Sequence, residues 1–220
     1  MYSIDFNVGT RRDTDGRFSL MPKSSKPAGR LDDNRYVIGD VVVSQQLTSM
    51  TGEPVSLPDP NHLIHLQFRR YAGCPICNLH LRSFALRKDE LDAAGIRELV
   101  VFHSTAEELR RNEPDVPFTI IPDPDKELYT AFRVGTSWRS VLNPAAMVSV
   151  PGAAWLATKR RFTVGAPLPL RPATNGRIGL VADFLITTEG YVAAVKYGQH
   201  ADDAWSVDEV LALAAATGKP

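Results

Sequence analysis

Cysteine is scarce, with only two in 220 residues, Cys74 and Cys77. That excludes a scaffold stapled by several disulfides. A bond across so short a loop would also add little chain-entropy stabilisation. Long apolar runs are missing too: none reaches the roughly 18 residues a membrane span needs. Met1 to Asn7 has no basic stretch leading into an apolar core. No secretory signal is therefore expected, and the expected location is cytoplasmic. Net charge is absent as well, since 25 basic residues balance 25 acidic ones. The overall charge thus gives no case for nucleic acid. The remainder is 44% hydrophobic and 23% charged, ordinary for a folded soluble chain.

The zero sum conceals an uneven distribution. Residues 1–127 carry 16 basic and 19 acidic side chains, 128–182 carry seven basic and no acidic ones, and 183–220 carry two and six. The middle stretch reads as a solvated surface. The functional alternative is an anion-attracting wall or a partner site.

Along the chain, residues 1–35 are rich in Arg, Asp, Gly, Ser, Lys and Pro and read as a flexible N-terminal arm. Residues 36–220 read as one domain. A β-prone run over Tyr36–Val43, the turn at Thr51-Gly52-Glu53-Pro54 and the run Val55–Leu57 outline a hairpin. A strand follows over 62–71, then a long helix over 76–94 stopped by Gly95, then a strand over 96–102. Ser104 with Glu107 predicts a capping box opening a short helix. Residues 118–121 make another strand, and Asp123-Pro124-Asp125 opens a helix through Phe132. Alternating strands and helices imply a largely parallel sheet. Residues 136–176 hold five prolines and break the rhythm, so they read as an insertion with short helices near 138–149 and 152–160. Residues 183–188 and 191–197, joined by Glu189-Gly190, predict an antiparallel hairpin. Ser206 and Glu209 form a second capping box for a helix to about Ala216.

The two cysteines form a C-x-x-C unit where a strand ends and a helix begins. A helix N-terminus offers unpaired N–H groups and partial positive charge, both of which stabilise a thiolate. The spacing brings the second sulfur within bonding distance of the first, so one can attack and the other resolve. Cys74 lies before the first turn and is expected to be the more accessible, so geometry makes it the nucleophile and Cys77 the resolving thiol. A zinc site wants four ligands and this motif supplies two. The five histidines show no metal spacing, so no metal is expected; an inert pair of buried thiols is the structural alternative. His103 ends a parallel strand at the edge where such sheets place ligands, and can tune a thiolate there.

Several stretches, in order, carry a resemblance: Ile38-Gly39-Asp40 with Thr51–Leu57, FRRYAGCPIC over 68–77, LVVFHSTAEELRRN over 99–112, FTIIPDPDKELYTAFRVG over 118–135, the hairpin over 183–197, and SVDEVLAL over 206–213. Together they resemble the peroxiredoxin-like branch of the thioredoxin-fold superfamily, the alkyl hydroperoxide reductase/thiol-specific antioxidant (AhpC/TSA) group, over residues 36–217. The resemblance implies a thioredoxin-like three-layer α/β fold: a mixed central sheet flanked by helices, with the 136–176 insertion before the last hairpin. The group's motif P-x-x-x-T-x-x-C fails in both registers. Ending on Cys77 it finds Cys74 at the Thr position and Arg70 at the Pro position; ending on Cys74 it finds Tyr71 and Gln67. The first register puts the attacking sulfur on Cys77, against the geometric assignment. The group also sets an arginine beside the sulfur, for which Arg70 and Arg177 are the candidates. Tyr71 is either a substrate-facing ring or packing. Thioredoxins place a cis-proline opposite C-x-x-C, where this chain has Val181.

The function these readings support is a thiol-dependent redox enzyme that reduces a peroxide or disulfide through a Cys74–Cys77 dithiol/disulfide cycle. The resemblance implies a thioredoxin- or glutathione-type reductant, no bound cofactor, and allows a homodimer. The alternatives are a non-catalytic redox sensor or interaction module, and a pure thiol–disulfide oxidoreductase.

Overall fold

A computed structural model describes residues 10–12, 18–20, 35–113, 116–135, 181–200 and 202–217. The insertion over 136–176, its short helices and Arg177 lie outside the described residues. The chain divides into two units, Met1–Asn34 and Arg35–Pro220. In the first, β1 (Thr10–Arg12) pairs antiparallel with β2 (Phe18–Leu20).

The second unit is built on a five-stranded sheet. Its strands are β5 (Leu63–Arg69), β6 (Ile96–Phe102), β7 (Thr119–Pro122), β8 (Ala182–Ile186) and β9 (Val192–Tyr197), in spatial order β7-β6-β5-β8-β9. β5, β6 and β7 run parallel; β8 and β9 are antiparallel. Period-2 alternation sends Ile64, Leu66 and Phe68 of β5, with Leu99 and Val101 of β6, to one face. That face is covered by the antiparallel pair β3 (Gln45–Thr48) and β4 (Pro54–Leu57) and by helix α4 (Glu127–Ala131). On the other face pack α1 (Pro75–Leu86), α2 (Lys88–Ala93), α3 (Ala106–Asn112) and α5 (Val207–Thr217), through Leu81, Phe84, Leu91, Leu109 and Val210. Among the described residues no helix is long and apolar enough to cross a membrane.

Four boundaries differ from the sequence reading. The hairpin's first strand is β3, not Tyr36–Val43. There the Asp40 carboxylate accepts from the Val37 N–H at 2.9 Å and Gly39 takes φ +92°, so a turn interrupts the run and leaves one bridge, Val41 to Tyr191. The long helix is two, broken at Arg87 (φ −117°, ψ 23°), whose guanidinium pairs with Glu90 and Asp208. The capping box belongs to Thr105 and Glu108, one residue beyond Ser104 and Glu107. The helix after Asp123 begins only at Glu127, with the Asp123 carboxylate accepting from the N–H groups of Glu127 and Tyr129 at 2.9 and 3.1 Å. The Ser206–Glu209 box forms as read.

Candidate active site

β5 and β6 end side by side, Arg69 opposite Phe102, and the chain passes from β5 into α1 through residues 70–74. Several ties fix this turn. The His103 N–H donates to the Arg70 carbonyl at 3.2 Å, and the Cys74 N–H to the Tyr71 carbonyl at 3.1 Å. The Ser104 hydroxyl accepts from the Ala72 N–H at 3.0 Å. The buried Glu113 carboxylate accepts from the Gly73 N–H at 2.7 Å. Gly73 has φ +76°, and a Cβ there would stand 3.2 Å from Asn112 Oδ1, so glycine suits this close approach. From the opposite face, the Tyr129 hydroxyl lies against the main-chain oxygens of Arg69 and Val101.

Cys74 is the N-cap of α1, and Pro75 follows in its first turn, where a missing N–H costs nothing. The Cys74 sulfur faces the N–H groups of Ile76 and Cys77 without closing a regular cap hydrogen bond. The Cys77 thiol donates to it. That hydrogen bond, helped by the Arg70 charge and the helix N–H groups, outweighs burial and brings the Cys74 pKa down to about 7. The same contact pushes Cys77 well above the ordinary thiol value, because its proton is held against the Cys74 sulfur, and burial adds to the effect. Cys74 was expected to be the more accessible; instead the two are 1% and 2% exposed. Both sit in an apolar cluster with Leu81 and Phe102, against which Met50, Tyr71, Ala72 and Ile76 pack.

The other candidates divide. Arg70 is buried, its charge acts on both sulfurs, and its guanidinium stands 5.5 Å from the Tyr71 ring centroid. Tyr71 packs on the cysteine cluster. His103 is buried at the end of β6, edge-on to Tyr129. Val181 is buried just before β8. Residue patterns missed Ser104, Glu113 and Tyr129. The tandems Ser104-Thr105 and Glu107-Glu108 offered two capping registers; the true one frees Ser104 to hold Ala72. Glu113 and Tyr129 carry no local signal.

Beneath α1 lies a buried polar network. On the face of β5 opposite Ile64, Leu66 and Phe68, His65, Gln67 and Arg69 alternate into it, all at most 1% exposed. The His65 Nδ1–H donates to Glu98 at 2.8 Å, and Gln67 also bonds Glu98. Arg69 donates to Asp183 at 2.7 Å and to His80 Nε2, on α1, at 3.0 Å. Asp183 also accepts from the Trp205 N–H at 3.1 Å. His65 Nε2 lies 3.4 Å from Asp183, within ion-pair reach but outside hydrogen-bond geometry. Despite burial, Glu98 and Asp183 raise His65 to about 9; Arg69 and His65 in turn hold Asp183 well below the carboxylate range. Burial and the Arg69 charge lower His80 to about 3.

Residues 83–192 match the family model described as AhpC/TSA antioxidant enzyme, a match that begins within α1 just after the cysteines. No curated protein matches the chain. Among solved structures, the chain is similar to the peroxidoxin BcpB from Mycobacterium tuberculosis, with TM-score 0.56 and 16% identity over 81% of this chain and 96% of that one. It is similar to Mycobacterium tuberculosis AhpC at TM-score 0.54 and 16% identity, over 83% and 93%. A third is the Xanthomonas campestris bacterioferritin comigratory protein, studied for alkyl peroxide reduction, at TM-score 0.52 and 18% identity over 78% and 90%. These likenesses establish the fold: a mixed sheet flanked by helices, thioredoxin-like as in peroxiredoxins.

Proposed function

The chain belongs to the AhpC/TSA antioxidant enzyme family and is a thiol-dependent redox enzyme; from that membership we propose that it reduces a peroxide with Cys74 as attacking thiolate and Cys77 as resolving thiol. The observation that carries this is the split between the two sulfurs. Cys74 is lowered to about 7 by the Cys77 hydrogen bond, Arg70 and the α1 N-terminus, while Cys77 keeps its proton. Only the thiolate is nucleophilic, so the electrostatics favour Cys74 over the register that ends on Cys77.

The chemistry follows from that arrangement. The Cys74 thiolate attacks the terminal oxygen of a hydroperoxide and the O–O bond breaks. The hydroxyl stays on sulfur as a sulfenic acid, and the alkoxide leaves and takes a proton from water. Cys77 then attacks the sulfenic sulfur, water departs, and the Cys74–Cys77 disulfide forms. A thiol of thioredoxin or glutathione type restores both thiols by exchange. Free thiols held for such a cycle suit a reducing compartment, and a cytoplasmic location is part of this proposal.

The test is thiol-state mass spectrometry. After one equivalent of peroxide, Cys77→Ser should accumulate a sulfenic acid or mixed disulfide on Cys74, and Cys74→Ser should stay reduced. Full activity in Cys74→Ser would sink the assignment. A wild-type chain that stops near one equivalent despite excess reductant is a sensor and not a peroxidase.

A further inference from the structure

His103 stands at the same sheet edge as the dithiol and has an unmet capacity for hydrogen bonding. Its side chain is buried, and neither ring nitrogen has a hydrogen-bond partner among the described residues. An unpartnered buried polar group destabilises a fold, so one kept in a native structure calls for an explanation. An apolar side chain would fill the same space without that penalty.

Its neighbours are the dithiol's neighbours. The His103 N–H holds the Arg70 carbonyl, and the Arg70 charge reaches His103, Cys74 and Cys77 alike. Its ring meets the Tyr129 ring edge-on at 5.7 Å, and the Tyr129 hydroxyl lies against the main-chain oxygen of Arg69, next to Arg70. Burial, with the Lys126 and Arg70 charges, brings the imidazole down to about 4. At neutral pH it therefore carries one N–H and one lone pair.

Peroxide reduction needs a donor aimed at the departing oxygen. The resemblance implies a threonine that orients the peroxide, and neither register of the motif places a threonine in this chain. We propose that His103 is a catalytic residue that contacts the peroxide, its ring N–H donating to the oxygen that leaves as Cys74 attacks. This rests on the peroxide reading above. A neutral donor in a dry site stabilises the developing alkoxide without transferring its own proton, so the proton balance of the reaction is unchanged.

The experiment compares two oxidants of Cys74 by stopped flow: t-butyl hydroperoxide and a small aromatic disulfide, which has no departing oxygen. His103→Phe should slow the hydroperoxide reaction about 100-fold. It should leave the disulfide reaction and its pH midpoint unchanged, and His103→Gln, which keeps an N–H, should recover part of the loss. Equal losses with both oxidants, or no loss with either, overturn the proposal. Should His103→Phe not fold, Cys74→Ser serves, because it cannot react. t-Butyl hydroperoxide should then shift the His103 ring nitrogen resonances, and a saturating titration without a shift overturns the proposal. A wild-type chain oxidised by the disulfide but not by the hydroperoxide refutes the peroxide reading itself. A reactive wild type with an unaffected variant refutes only the role of His103.

Discussion

Arg70 brings one buried positive charge to bear on both sulfurs. In the wild type, alkylation of Cys74 should rise with pH to a midpoint near 7 and then level off, since Cys77 titrates far higher. Arg70→Met removes part of the thiolate's stabilisation and should move that midpoint upward. At any pH below it, raising the midpoint by one leaves about tenfold less thiolate. Iodoacetamide rate profiles check this, and superimposable profiles would remove Arg70 from the account. The C-x-x-C spacing of Cys74 and Cys77 was legible in the sequence because spacing is a local property, whereas Arg70 entered only as one of two arginines the resemblance implied. Glu113 was not: its contact with Gly73 spans 40 residues, and nothing in the residues around it announces the partner. The near-equal burial of the two cysteines was also hidden, because much of the apolar cover comes from Met50, Phe102, Leu109 and Ile120, which the fold assembles.

Among the elements, α3 separates two roles that the sequence merged. Thr105 caps the helix, and its hydroxyl accepts from the Glu108 N–H at 3.2 Å. Ser104 instead holds the turn before Cys74. Thr105→Ala should therefore lower stability by about 1 kcal/mol with the peroxide rate unchanged. Ser104→Ala should lower the rate more than its stability loss explains. Denaturant unfolding alongside stopped-flow oxidation distinguishes them, and reversed effects would show that the sequence register was correct. The strands β5 and β6 were found to within two residues because their apolar faces repeat with period two. The polar positions of β5 carried no comparable message. His65, Gln67 and Arg69 look like a solvated face until Glu98, Asp183 and His80 arrive from three other elements to satisfy them. The break at Arg87 depends likewise on Asp208 in α5, far along the chain.

At the level of the whole molecule, the order of elements dictated most of the architecture. Three strand–helix units gave the parallel half, and the terminal hairpin with its Glu189-Gly190 turn gave the antiparallel half. What order could not supply was the charge inside. His65 is raised to about 9, so its contribution is fully present below pH 6.5 and is lost as pH rises through 9, on the order of 3 kcal/mol. His80 and His103 are lowered to about 3 and about 4, so their contributions are present above pH 6.5 and fade as pH falls toward those values. Stability measured by urea unfolding should peak near pH 6.5 and decline from there toward pH 9. His65→Gln should lack the alkaline decline through pH 9; an unchanged alkaline limb in that variant would mean His65 is not the titrating group.

The apolar enclosure of the dithiol also bears on how the protein survives its own substrate. Once Cys74 carries a hydroxyl, two fates compete: condensation with Cys77 and a second encounter with peroxide that takes the sulfur on to the irreversible acids. Condensation is intramolecular, between atoms already in hydrogen-bond contact, whereas overoxidation must wait for another molecule to enter a site that is 1–2% exposed. The ratio of those rates sets how much oxidant the protein endures, and this packing tilts it toward endurance.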